Sequence, residues 1–337
     1  MKKATINDVA QLAGVSKSTV SAYINKKYHF MSGVTKVKIQ NSIDELNYRP
    51  NELARSLKQK KTSIIGVIVA SIGSEFTTEI VRAIESVCQE KDIQMIFCNT
   101  DDDENKERAY LNQLIARQLD GLIVIPTTKN IEMFKILISQ DYPIVFVGRK
   151  INGLDIPAVL FDNIEASKLA VEEFAKKGHR QIALLTGSLS KYTLTSRVEL
   201  LEGYRDALKK YEIEIDERFI YHDSHTGVKE SLKKMFDLEK PPTAILAEND
   251  LIMQEVLMFA KEKERTIPNN FSLVGIGDPV FAKLHTPPIS TIVQPTYEMG
   301  KQAAALLFEK IEGKAEMAIT YRFPPKFTFR ASVAEKK

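Results

Sequence analysis

From residue 62 onward, short β-branched runs alternate with stretches whose apolar positions recur every three to four residues, the pattern of strands and amphipathic helices in a parallel α/β sheet. The runs predict strands at 64–70, 95–98, 122–125, 144–147, 159–161, 182–185, 244–246 and 273–276. The helices between them bury Phe76, Ile80, Ile84 and Val87 in one case, and Leu169, Phe174 and neighbouring alanines in another. More than 270 residues with this many βα units exceed one comfortable doubly wound domain. The pattern therefore predicts an α/β body of two doubly wound parallel-sheet lobes with a ligand cleft between them. No sequence repeat or low-complexity segment adds to that reading.

The first sixty residues carry a different pattern. Thr5 can cap a helix with Asp8 at its third position, an imperfect capping box, and Ile6, Val9 and Ala13 share one face before Gly14 ends it. Ser16 can cap a second helix whose inward side is Val20, Tyr23 and Ile24. Ser18, Ser21, Ala22 and Asn25 then face outward, with Lys17 at the N-terminal edge. A third helix beginning at Ser32 buries Ile39, Ile43 and Leu46. A Ser-capped second helix with short polar side chains outward suits close approach to a major groove, although an ordinary helical hairpin has the same spacing. Residues 47–61 are basic, with one helical pattern over 51–58. Two turns fall below the ~12–15 residues of a marginally stable isolated helix, so this segment should fold only when held.

Charge changes the picture. The chain has 337 residues, 44% hydrophobic and 27% charged, which disfavours disorder, collagen and membrane spanning. Its net charge of +3 hides a division: residues 1–61 carry +8 and the remainder −5. A basic module on a mildly acidic body makes nucleic acid the leading partner. Cys88 and Cys98 lack ligand spacing, which gives a disulfide framework or zinc site little support. Lys2 and Lys3 are followed by Asn7, Asp8 and Gln11 rather than an apolar run, and the longest apolar stretch, 64–72, is too short for a bilayer. The expectation is a cytoplasmic protein, neither exported nor membrane-anchored.

Specific runs carry a resemblance: TINDVAQLAGVSKSTVS, DELNYRPNELARSLK, IIGVIV, NTDDDENKERAYLNQL, DGLIVIPT, FVGRK, FDNIEAS, KKGHRQIALLTG, AENDL and PPISTIVQP. On these the chain is similar, over essentially its full length, to transcription regulators of the lactose-repressor (LacI/GalR) family. The opening and hinge runs are highly specific; the later ones count collectively. The division expected is a helix-turn-helix headpiece at 1–48, a hinge at 49–61 and an effector-binding, dimerising body at 62–337. Within the body, the N-lobe takes about 62–161 and 294–322, and the C-lobe about 162–293 and 323–337.

The resemblance implies that Lys17, Ser18 and Ala22 read bases, while Thr5, Thr19, Ser21 and Asn25 hold phosphates. Lys17 can donate to guanine or to phosphate, and Ala22 can offer only a methyl contact. The loop from Asn25 to Thr35 is one residue longer than usual, so contacts between Lys26 and Met31 do not transfer. Leu57 matches a leucine that paired hinge helices wedge into the minor groove, flanked by Arg55 and Lys58. From the residues alone, Leu57 reads rather as packing its own short helix.

For the cleft, Phe76, Arg149, Asp162, Arg197, Asn249, Asp278 and Gln294 match family positions around the effector. Asp162-Asn163 follows one strand end and Asn249-Asp250 opens a helix after another. Such paired carboxylates and amides suit polyol hydroxyls, although Asn249-Asp250 also reads as a helix cap and Arg197 as a solvated helix charge. This chain departs from the family at several positions. Leu200 stands where many members place an arginine, and Gly277 replaces the first aspartate of an Asp-Asp pair. Ser71, Ser74, Glu75 and Thr77 replace a common Asp, Asn-Pro and second Phe. Arg197, one turn before Leu200, is the suggested substitute.

Catalytic readings find poor support. Gly275-x-Gly277 lacks the third glycine of a dinucleotide fingerprint, since position 280 is Val, and no P-loop, GxSxG or HExxH occurs. His222 and His225 form an HxxH on an expected loop, where a solvated role outweighs metal binding. The expectation is therefore a non-enzymatic regulator, most simply a repressor, without metal or cofactor. It would be a homodimer, which pairs two recognition helices with a palindromic operator; tetramers are less expected because the tail FTFRASVAEKK has no heptad zipper. Its effector would be a sugar or sugar acid, with a purine or a protein corepressor as the alternative. A nicotinamide enzyme, with its incomplete glycine fingerprint, and a transport binding protein, which needs export and has no use for residues 1–61, are more distant.

Overall fold

A computed structural model describes residues 4–29, 31–49, 61–187, 194–222, 227–314 and 318–336. It divides into two compact units, 1–62 and 63–337.

In the first unit, α1 (Ile6–Ala13), α2 (Lys17–Ile24) and α3 (Gly33–Glu45) enclose a small core of Val9, Ala10, Ala13, Val20 and Ile39. The Thr5–Asp8 capping box is complete: the Asp8 amide donates to Thr5 Oγ1 at 3.4 Å, and the Thr5 amide donates to Asp8 Oδ2 at 2.7 Å. Gly14 ends α1 at φ 64°, a left-handed conformation that glycine adopts without a Cβ penalty.

In the second unit, β1 (Ile64–Val69), β2 (Gln94–Asn99), β3 (Gly121–Val124), β4 (Ile144–Val147) and β5 (Ala158–Phe161) form one sheet with β11 (Thr320–Phe323). Its order is β11-β5-β4-β3-β1-β2, and every pairing is parallel. The second sheet has the order β12-β10-β9-β8-β6-β7. It contains β6 (Ile182–Thr186), β7 (Ile220–His222), β8 (Ala244–Ala247), β9 (Ser272–Ile276), β10 (Ser290–Val293) and β12 (Lys326–Thr328), the last antiparallel to β10. The chain crosses between the sheets after β5, after β10 and after β11. All eight expected strands are present within a residue or two. The pattern missed β7, β10, β11 and β12. His222 ends β7 and is not on a loop, which corrects the expectation; His225 lies outside the described residues.

Helices cover both faces of each sheet, as apolar strands require. In the first lobe, α4 (Glu75–Glu90) packs on α12 (Thr296–Ile311) where Gly300 permits close approach; a Cβ there would lie 2.6 Å from the Ile80 carbonyl oxygen. In the second, α7 (Asn163–Lys176) packs on α8 (Thr195–Lys210) through Gly203 in the same way. The C-terminal tail is pinned to the second lobe. Buried His179 places Nε2 3.0 Å from the Ala334 carbonyl and Nδ1 2.9 Å from Thr243 Oγ1. Among the described residues no helix is long and apolar enough to cross a membrane.

Candidate functional site

The first candidate is the outer side of α2. Ser16 Oγ accepts from the Thr19 amide at 3.1 Å and meets Ser18 Oγ at 2.7 Å, which fixes the start of the helix. Lys17 and Ser18 are exposed, while Thr19, Ser21, Ala22 and Asn25 are half-buried. At about 100° per residue, Lys17, Ser18, Ser21, Ala22 and Asn25 span less than half of the helix circumference, opposite Val20 and Tyr23. Tyr23 Oη donates to Gln40 Oε1 at 2.7 Å, tying α2 to α3 from the inner side. Thr5 and Asn25 are engaged in caps: Thr5 Oγ1 donates to Asp8 Oδ2 at 2.7 Å, and Asn25 Nδ2 donates to the Ser21 carbonyl at 2.7 Å. Arg55, Leu57 and Lys58 lie outside the described residues.

The second candidate is the cleft between the sheets of the body, a cavity of about 450 Å³. It sits at the carboxyl ends of the strands, where open α/β sheets receive ligands. Gly148 and Arg149 follow β4, Asn163 follows β5, Glu248 and Asn249 follow β8, Gly277 and Asp278 follow β9, and Gln294 follows β10. Phe76 supplies an apolar wall, closed up against Gly148, whose added Cβ would stand 3.0 Å from the ring.

Ion pairs give the cleft its polar character. Arg149 makes a two-pronged pair with Asp102, one arm 3.1 Å long. Arg197 Nε donates to Glu248 Oε1 at 2.9 Å, and Glu248 Oε2 also accepts from the Gly187 amide. Arg197 is 6% exposed, so the reading of a solvated helix charge is corrected. Asp278 accepts from Arg330 at 2.7 Å and Thr291 Oγ1 at 2.8 Å, with Lys283 at 3.2 Å. Burial pushes its carboxyl pKa upward, but these three donors outweigh burial and hold it below its ordinary value.

Six of the seven expected effector positions, Phe76, Arg149, Arg197, Asn249, Asp278 and Gln294, line this one cleft. Asp162 does not. It caps α7, accepting from the Glu165 amide at 3.0 Å, and its neighbour Asn163 takes the place on the wall. Asn163 Nδ2 is spent on Glu199 and the Phe161 carbonyl, leaving Oδ1 as an acceptor. Asn249 has the complementary arrangement: Oδ1 caps α10 (Asp250–Glu262) through the Ile252 amide at 2.9 Å, leaving Nδ2 as a donor. The cap and cleft readings of Asn249 thus coexist. Leu200 is buried in the core, with Arg197 on the wall one turn earlier. Gly277 has φ +91°, a backbone that would strain the aspartate it replaces. Asn163, expected beside Asp162 at a strand end, lines the cleft; Asp102 and Glu248 were not anticipated, and their position just beyond strand ends was the available signal.

The comparisons agree with both halves. Residues 5–51 match the model for bacterial regulatory proteins of the lacI family, and residues 171–333 match a periplasmic binding protein-like domain. The probable HTH-type transcriptional regulator EndR of Paenibacillus polymyxa is 48% identical, with 98% of each chain covered. A Lac repressor dimer bound to operator and the anti-inducer ONPF aligns with a TM-score of 0.86 at 25% identity, over 99% of this chain and 100% of that one. A complex of the transcriptional regulator CelR with cellobiose aligns at 0.73 and 25% identity, over 98% and 100%. A regulator name on relatives of this extent answers the enzyme and transport alternatives. The chain belongs to the lacI family of bacterial regulatory proteins and is a DNA-binding transcriptional regulator.

Proposed function

We propose that this regulator is a homodimeric cytoplasmic repressor that binds a palindromic operator and is controlled by a sugar or sugar acid in the inter-lobe cleft. The observation that carries the effector class is the composition of the cleft wall. Arg149 and Arg197 each sit on a carboxylate, Asn163 and Asn249 offer one free acceptor and one free donor, and Phe76 supplies an apolar surface. Polarised carboxylates beside amides match ligands that present a donor and an acceptor at every hydroxyl. An acid group would have to draw Arg149 or Arg197 from its carboxylate, which weights the reading toward the uncharged sugar. The cellobiose complex of CelR supports the same class.

On the DNA side, Lys17, Ser18 and Ala22 read bases, and Thr5, Thr19, Ser21 and Asn25 hold phosphates. Leu57 wedges into the operator centre between Arg55 and Lys58, and two headpieces meet two half-sites. Thermal-shift screening of neutral sugars, sugar acids and purines against the full chain tests the effector class. A saturating sugar at about 100 Kd should add roughly 2.7 kcal/mol of stability. A shift with a purine and none with any sugar overturns the reading.

A further inference from the structure

Ser74 and Glu75 open α4 on the first lobe, and Asp250 opens α10 on the second. Ser74 occupies the N-cap position, yet its hydroxyl makes no cap bond to its own helix. It donates instead to Asp250 Oδ1 at 3.0 Å, and the Glu75 amide donates to Asp250 Oδ2 at 2.6 Å. Asp250 is 5% exposed. Its own helix does not need it, since Asn249 already caps α10. The carboxylate of one lobe therefore caps a helix of the other, across the mouth of the cleft that both line. The start of a helix carries unsatisfied N–H groups and partial positive charge, and a carboxylate is a strong partner for both. The identity of residue 75 decides whether the bond can exist. Proline there, as in the family's common Asn-Pro, would have no N–H to give.

We infer that Asp250, with Ser74 and the Glu75 amide, forms a cross-cleft latch. Asp250 is a positioning residue that holds the two walls at their closed spacing. Parting the lobes strips α4 of its cap and leaves Asp250 without these partners. Closure thus carries an energy of its own, and a ligand that needs the closed cleft binds in proportion to the closed fraction. The role in control rests on the effector reading; the latch itself does not.

Hydrogen-exchange mass spectrometry on the full chain without ligand tests it, comparing wild type, Glu75→Pro, Asp250→Ala and the double variant. Proline suits the first position of a helix, so Glu75→Pro removes the donor and keeps α4. Glu75→Pro, changed only in the first lobe, should speed exchange of second-lobe residues 250–256 about tenfold, the scale of one charge-assisted hydrogen bond. Asp250→Ala, which removes both bonds, should do at least as much for first-lobe residues 76–82, and the double variant should do no more than Asp250→Ala alone. Unfolding midpoints close to wild type confirm that the variants fold. Changes confined to the substituted lobe, or additive effects, overturn the latch. No ligand is present, so this failure is read separately from that of the sugar reading, which sugar titration of the wild type tests.

Discussion

Two neighbouring residues show how finely the cleft divides its labour. Asp162 is the cap of α7 and Asn163 the wall of the cleft, although both follow the same strand. Asp162→Ala should therefore cost about 1 kcal/mol of stability, as lost caps do, with little change in effector affinity. Asn163→Ala should weaken a sugar about tenfold by removing a buried acceptor. Titration calorimetry on both variants separates the roles, and equal losses would return Asp162 to the site. His179 makes a further prediction. Burial lowers its pKa from 6.5, with the Ala334 carbonyl opposing in part, so the native state keeps the ring neutral while the unfolded chain protonates it. Its contribution is complete above pH 6.5 and falls as pH drops from there toward the lowered native value. His179→Gln should flatten that part of the stability–pH curve measured by urea unfolding.

At the scale of elements, the α7–α8 contact depends on Gly203, where a Cβ would lie 2.3 Å from the Ile164 carbonyl oxygen and from Ser167 Oγ. Gly203→Ala should destabilise the body by about 1–3 kcal/mol, the cost of overpacking, despite alanine's better helix propensity. A raised melting temperature would contradict this. The elements legible beforehand were those whose signals are local. Thr5, Gly14 and Ser16 announce α1 and α2, and the buried runs of β1, β3 and β4 need no partner to be recognised. What escaped depends on distant contacts. β11 reads TYRF and is largely exposed at an edge, while Ser290 and Thr291 of β10 are buried only because Ser332, Arg330 and Asp278 satisfy them. The site divides likewise: Arg149 and Arg197 were legible by position, but their partners Asp102 and Glu248 meet them only in the folded body.

For the whole molecule, the +8 charge of residues 1–61 against −5 elsewhere should make operator binding steeply salt-dependent. With about six to ten phosphate contacts per dimer, affinity should fall roughly 10³–10⁵-fold between 50 and 200 mM salt. A flat profile in fluorescence anisotropy would remove the electrostatic basis of the DNA reading. The central claim is that cleft and operator are coupled, and linkage requires the coupling to be reciprocal. The most direct measurement takes DNA enriched from a random pool by the full chain and the sugar that stabilises it most. The affinity for each is then titrated in the presence and absence of the other. The account predicts a palindromic site and the same factor both ways, about 5- to 150-fold. Operator affinity unchanged by a sugar that demonstrably fills the cleft would contradict it.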